Sequence, residues 1–257
     1  MTIEASLIDG GKKDKVPQAR YPLIGIVGPM GAGKSTLGGL LVTNLSVPGF
    51  GVTKFEEEYP ENPFLAKFYE DPHSYSFQSQ AFFLESKAKQ LREVMPLLSQ
   101  GSVIVDPAIE MDRIFAQTQN VMGWMSNDEF ATYRGLYDAL VAENQIVRPD
   151  FFVVVNAPHE TLKERILERG RDFELRVLTE HPEYLEVLHR QVENFARGGI
   201  SGGSVIYIDS QRYNFVDSPQ GRWVAVGQVL DWMSYYHARS QDGRGANGDK
   251  LIMPSFI

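Results

Sequence analysis

The chain contains no cysteine, which removes disulfides, thiolate metal sites and thiol nucleophiles from the possible chemistry at once. No apolar run approaches the ~18 residues that a membrane span requires, and the first residues lack the apolar core of a secretory signal. Cationic side chains are outnumbered: 25 Lys and Arg stand against 33 Asp and Glu, a formal charge of −8. A surface for polymeric nucleic acid needs a dense basic patch that releases counter-ions from the phosphate backbone, so that class of partner is not expected. Histidine is also scarce, and His73, His159, His181, His189 and His237 show no metal-ligand spacing. These exclusions leave an expectation of a soluble, cytoplasmic protein with no membrane partner. A local nest of amides and a few cations can still bind a small anion against such an acidic background.

At 257 residues, 43% of them hydrophobic, the chain is long enough for one large α/β domain with a substantial core. Residues 1–20 are polar, carry Lys12, Lys13 and Lys15 beside Gly10 and Gly11, and read as a mobile arm. From residue 21 onward, short β-branched runs alternate with longer segments of helical period, the pattern of βαβ units and a mostly parallel sheet. Five buried strands are expected, at 23–27, 52–55, 102–106, 151–156 and 204–208. Helices are expected directly after Lys34 and at 74–99, 127–143, 160–169, 184–197 and 222–239. A single domain is thus expected over 21–239. Beyond it lies a flexible tail, 240–257, with an apolar tip of Leu251, Ile252, Met253 and Phe256.

The most specific local signal is Gly28-Pro29-Met30-Gly31-Ala32-Gly33-Lys34-Ser35, followed by Thr36, which satisfies the phosphate-loop pattern G-x-x-x-x-G-K-[ST]. It falls directly after an expected strand and directly before an expected helix. Glycines are required because the loop must wrap a phosphate with its amides pointing inward, in conformations that a Cβ obstructs. The helix adds the partial positive charge of its N-terminus. Lys34 is expected to neutralise the β- and γ-phosphates of ATP, and the Ser35 hydroxyl to take one position on Mg²⁺. The same cradle serves kinases, GTPases and motors alike, so the reaction has to be read from other residues. Among these, Arg165 and Arg169 lie four apart on one helix face and Arg171 follows just past Gly170. Three guanidinium groups of this kind, placed near the phosphates, can stabilise charge that develops on a transferred phosphoryl group.

In order along the chain stand Phe55-Glu56-Glu57, Asn62-Pro63-Phe64-Leu65, Phe68-Tyr69-Glu70-Asp71-Pro72, Ser76-Phe77-Gln78-Ser79-Gln80, Phe82-Phe83-Leu84, Asp112 with Ile114-Phe115-Ala116, Arg148-Pro149-Asp150, and Arg169-Gly170-Arg171 with Glu174. With the phosphate loop, these collinear blocks resemble the deoxynucleoside kinase family over about residues 22–215. The resemblance implies a P-loop NTPase fold with a five-stranded parallel sheet and an Arg-rich lid. It further implies a small-molecule substrate phosphorylated on its 5′-hydroxyl at the expense of ATP with Mg²⁺, and a homodimer. By the same resemblance, Glu57 takes the proton of the 5′-hydroxyl, with Glu56 and Glu58 as its immediate neighbours. Tyr69 and Glu174 hold the sugar 3′-hydroxyl, Gln80 reads the base, Lys87 faces Asp112 in the base subsite, and Asp106 holds the metal.

Two positions depart from the family pattern. Where the family carries an acid followed by Arg and Ser or Thr, this chain reads Asp106-Pro107-Ala108, and loss of that arginine is expected to cost about 1.5–3 kcal/mol as a charge-assisted bond. Arg113 is the nearest cation in sequence that can replace it. Lys87 stands where the family's purine and cytosine kinases commonly show Arg, and a lysine cannot form the same planar fork. The preferred reading is a deoxynucleoside kinase, with a purine substrate favoured. Its rivals are a kinase for a nucleoside monophosphate or another small alcohol, and a catalytically weak nucleotide-binding scaffold such as the kinase-fold accessory subunit of respiratory complex I.

Overall fold

Alternate residues of a strand face opposite ways, and that alternation sorts the core of this chain into two faces of one sheet. A computed structural model describes residues 21–45, 51–57, 61–142, 146–198 and 204–241, the last few without their side chains. The arm at 1–20 and the tail from 242 onward lie outside the described residues. Five strands pair in parallel in the order β2-β3-β1-β4-β5, with β1 Leu23–Val27, β2 Gly51–Glu56, β3 Gly101–Asp106, β4 Phe151–Asn156 and β5 Ser204–Asp209. Ten helices join them among the described residues: α1 Lys34–Leu45, α2 Leu65–Glu70, α3 Pro72–Leu97, α4 Ile109–Val121, α5 Asn127–Ala142, α6 His159–Arg169, α7 Asp172–Glu180, α8 Glu183–Ala196, α9 Ser210–Tyr213 and α10 Pro219–Gln241.

On one face Ile24, Ile26, Ile104, Val153 and Ile206 pack against α1, α6 and α10; on the other Leu23, Val27, Val105, Phe152 and Val154 pack against α3, α4, α5 and α8. Covering both faces is what buries β1, β3 and β4 along their whole length. The expectation of five buried strands is corrected at both edges of the sheet: β5 pairs with β4 alone and leaves Tyr207 exposed, and β2 departs further. It pairs with β3 alone, and as an edge strand it buries only Val52 fully. The last expected helix is longer than read, since α10 continues to Gln241.

Four helices were not foreseen. Both α2 and α9 are too short for a period to show. The nine residues of α7 start again immediately after the left-handed Gly170 that caps α6. Burial hides α4: Glu110, Asp112, Thr118 and Gln119 are all buried beside apolar neighbours, so no polar stripe marks a solvent face.

One polar tie binds the last helix to the sheet. Asp150 accepts from the Leu23 amide at 2.7 Å and from the Tyr236 hydroxyl on α10 at 2.8 Å, while its own amide donates to the Leu23 carbonyl at 2.8 Å. Replacing Asp150 with Ala removes both of these side-chain hydrogen bonds and should lower the unfolding free energy by about 2–4 kcal/mol, read as a drop in the urea midpoint. An unchanged midpoint would show that the tie carries no weight.

Candidate active site

A cavity of about 500 Å³ opens where β1, β2 and β3 end, at the carboxyl edge of the sheet. Open parallel sheets bind ligands at this edge, where neighbouring strands send their connections in opposite directions. The loop after β1 forms its floor. At Gly28 a Cβ would stand 2.2 Å from the Val155 carbonyl oxygen, and Gly31 adopts φ +78° with the Leu162 carbonyl oxygen 2.7 Å from the place a Cβ would take. The turn therefore lies as close to β4 and α6 as bare backbone allows. Beyond it α1 begins at Lys34, and the first-turn amides of Lys34, Ser35 and Thr36 have no acceptor within the helix. Lys34 folds back over the loop, donating to the Gly28 carbonyl at 2.8 Å and the Pro29 carbonyl at 2.9 Å. Burial lowers its pKa, with Asp106 and Glu57 acting in the other direction.

Carboxylates form the second wall. Glu57 follows β2 directly, and its amide continues the ladder by donating to the Asp106 carbonyl at 3.1 Å. Burial raises the Glu57 carboxyl above its ordinary range, and the cations Lys87 and Lys34 restrain that rise. Lys87 approaches from α3, with its Nζ 3.8 Å from Glu57 Oε1. Asp106 ends β3 with a side chain only 2% exposed, and its Oδ2 accepts no hydrogen bond among the described residues. Pro107, joined to it by a cis peptide bond, also lines the cavity.

The third wall comes from the end of α6 and the start of α7. Arg169 sets a two-pronged fork on Glu174, with contacts of 2.6 and 3.0 Å, and Arg171 stands 3.6 Å from the same carboxylate. Tyr69 stacks on Phe173 at 4.9 Å, and burial pushes its hydroxyl well above the ordinary value, so it remains a hydrogen-bond donor.

Met30, Gly31, Gly33, Lys34, Ser35 and Thr36 thus meet Glu57, Tyr69, Asp106, Arg169, Arg171 and Glu174 in one cavity. Gly28 and Ala32 support the loop from behind, and neither is among the lining residues. The expected convergence of three arginines is corrected to two. Arg165 spends its fork on the Ser210 hydroxyl at 2.7 Å, the Ser210 carbonyl at 3.1 Å and the Gly31 carbonyl at 3.3 Å. One turn earlier on α6, it braces the phosphate loop against the end of β5.

Gln80, Lys87 and Asp112 are buried behind Glu57 and do not line the cavity. Among the described residues each keeps a side-chain atom without a hydrogen bond: Gln80 Oε1, Lys87 Nζ and Asp112 Oδ2. Burial, and after it the Glu57 charge, raises the Asp112 carboxyl well above the usual range. Arg113 does not replace the absent arginine, because it lies over the Tyr137 ring at 5.5 Å and near Asp138, away from the cavity. Glu58 lies outside the described residues. Sequence reasoning gave no site role to Leu65, Phe83, Phe115 and Phe173, which add apolar wall, or to Lys54, whose ammonium stands 3.6 Å from Asp106 Oδ2. Apolar side chains on helices carry no local mark of lining a site.

The residues present fit a metal-bound nucleoside triphosphate. The floor excludes Cβ atoms where phosphate oxygens need backbone amides, and Asp106 keeps a buried carboxylate oxygen with no hydrogen bond beside the Ser35 turn. A parallel sheet with this order, loop and cavity defines a P-loop nucleotide-binding protein. A deoxynucleoside kinase family profile matches residues 24–231. The deoxyguanosine kinase of Lactobacillus acidophilus is 30% identical over 213 residues, 81% of this chain and 90% of that one. The deoxyadenosine/deoxycytidine kinase of Bacillus subtilis is 33% identical over 188 residues, 73% and 81% of the two chains. Among solved structures, the deoxyadenosine kinase of M. mycoides with bound dATP superposes with a TM-score of 0.67 at 25% identity, over 83% of this chain and 100% of that one. The chain belongs to the deoxynucleoside kinase family, and it is a phosphotransferase.

Two alanine substitutions in the same loop and helix should act in opposite directions. Gly28→Ala drives a Cβ into the Val155 carbonyl and should destabilise by about 1–3 kcal/mol, whereas Gly39→Ala, with nothing within 4 Å of the new Cβ, should stabilise α1 by about 0.5–1 kcal/mol. Thermal denaturation checks both. A neutral Gly28→Ala would contradict the close approach on which the floor depends.

Proposed function

We propose that the chain transfers the γ-phosphoryl group of ATP to the 5′-hydroxyl of a deoxynucleoside, with a purine favoured. The observation that carries this reading is Glu57, half-buried beside Lys34 and Asp106 at the mouth of the phosphate loop. In this reading Glu57 accepts the hydroxyl proton as the new O–P bond forms and the bond to the β–γ bridging oxygen breaks, with ADP leaving. Lys34 and the first-turn amides of α1 hold the phosphates, and Arg169 and Arg171, steadied by Glu174, meet the charge on the transferred group. Ser35 and Asp106 hold Mg²⁺, which supplies positive charge to the phosphate oxygens when bound. Tyr69 and Glu174 take the sugar. By the family resemblance, the base extends past the lining of the cavity to Gln80, Lys87 and Asp112, whose unused acceptor, ammonium and carboxyl oxygen suit its edge. The lid closing on bound substrates and a homodimer belong to the same reading and rest on the family resemblance, while a single domain over 21–239 and a cytoplasmic setting rest on length, hydrophobic pattern and the lack of a spanning or secretory run.

Pro107 favours a second reading. It lines the cavity at the position where the resemblance implies an arginine, and a chain weakened there could serve as a nucleotide-binding scaffold. Labelled ATP and a panel of deoxynucleosides, run on the wild type and on Glu57→Gln, separate the two. A kinase shows wild-type turnover that falls at least about a hundredfold in Glu57→Gln, the range for loss of a general base, with ATP binding retained. Turnover unchanged in the variant removes Glu57 as the base, and no wild-type turnover favours the scaffold. Because burial raises the Glu57 carboxyl above its ordinary 4.5 and the base must be ionised, activity is lost as pH falls through that raised value. The acid limb of kcat/KM therefore lies above pH 4.5, and Lys87→Met, which removes the leading restraint, moves it higher still.

A further inference from the structure

Lys54 lies in none of the motifs that mark the site, yet the fold builds a passage for it. It stands on the edge strand β2, where neighbouring residues are largely open to solvent, but its side chain is only 10% exposed. The stem crosses α1 at Gly38, which is buried. A Cβ at that position would lie 2.9 Å from Lys54 Cε and 3.1 Å from its Nζ. Glycine inside a helix is disfavoured relative to alanine by about 1 kcal/mol, so this helix departs from its own preference where the lysine passes.

The ammonium arrives at the acidic wall. It donates to the Ser35 carbonyl at 3.1 Å, pairs with Glu56 at the end of β2, and stops 3.6 Å from Asp106 Oδ2. That last distance is short enough for Coulombic neutralisation and too long for a hydrogen bond. Glu56, Glu57 and Asp106 all line this side of the cavity, and such a group of carboxylates repels itself unless a cation is present.

We propose that Lys54 is a resident counter-ion of the acidic wall: it neutralises Asp106 in the nucleotide-free enzyme and yields that carboxylate to the divalent cation that arrives with the nucleotide. It is a positioning residue, and the inference rests on reading the cavity as a metal–nucleotide site. Lys54 and the metal then compete for one carboxylate, while Lys54 and the phosphates attract each other. Removing the charge should weaken metal-free ADP binding and strengthen the contribution of the metal. A lysine with a purely structural role would shift both binding constants together.

Calorimetric titration of ADP into the full chain, once with Mg²⁺ and once with EDTA, measures the ratio of the two dissociation constants. Lys54→Met should raise the metal enhancement at least about fivefold over wild type, in the range of site–site couplings. Lys54→Arg, which keeps the charge, should stay nearer the wild-type ratio. Lys54→Gln should repeat the Met result, and thermal denaturation confirms that the titrated variants are folded. An unchanged or smaller ratio in the folded Met or Gln variant, beside a clear wild-type enhancement, overturns the role of Lys54 alone. Absence of any metal enhancement in the wild type overturns the metal–nucleotide reading beneath it. No deoxynucleoside is present in these titrations, so their outcome is independent of phosphoryl transfer.

Discussion

The Val155 carbonyl lies 2.2 Å from the point a Cβ on residue 28 would occupy, and the site grows from that approach. Only bare backbone can turn there, so the chain leaves β1 and enters α1 across a loop whose amides are not covered by its own side chains. The turn also fixes where α1 begins. Lys34, at the first helical position, is close enough to return its ammonium to the Gly28 and Pro29 carbonyls. Arg165 completes the brace by tying the Gly31 carbonyl to Ser210 beyond β5. A phosphate-binding floor of this kind is set before any ligand arrives, and the cost of organising it is met by folding.

Around the floor the structure gathers opposite charges at low exposure. Burial pulls Lys34 down, with Asp106 and Glu57 acting against it, and pushes Glu57 up, with Lys87 and Lys34 acting against it while Asp106 adds to the rise. Arg169 and Arg171 share Glu174, which keeps two guanidinium groups at the rim in fixed orientation. Lys87 stands behind Glu57 and Lys54 beside Asp106. Pro107 contributes no charge at the end of β3, and the cations nearest that strand end instead approach from β2, α1 and α3. The two members of the wall that face reacting groups in the proposed chemistry, Glu57 and Asp106, are therefore each matched to a lysine.

Much of this was legible in the sequence, for reasons that differ by element. Buried parallel strands such as 151–156 are runs of apolar residues between breakers, and the phosphate loop is written in consecutive residues, so both are local signals. Collinear blocks located Glu57, Tyr69 and Glu174, whose meeting in one cavity depends on strand order that local pattern does not encode. Spacing misled at Arg165: four residues place it on the same face as Arg169, but the helix axis carries it one turn away, over Ser210. Lys54 was invisible because its significance depends on Gly38, in a different element, leaving room for the stem. The buried polar residues of α4 concealed a helix for a related reason: Glu110 faces Arg148 and Asp112 faces Glu57 and Lys87, all outside the helix, while the Thr118 hydroxyl turns back to the Ile114 carbonyl.

The central claim is that the cavity joins a phosphate donor to a deoxyribose hydroxyl, and the chemical position of the transferred phosphate tests it most directly. Phosphorus NMR of the product formed from Mg·ATP and deoxyguanosine or deoxyadenosine should show a monophosphate ester on the 5′-oxygen, with ADP in equal amount. ADP accompanied only by inorganic phosphate, or an ester at the 3′-oxygen, would contradict the account.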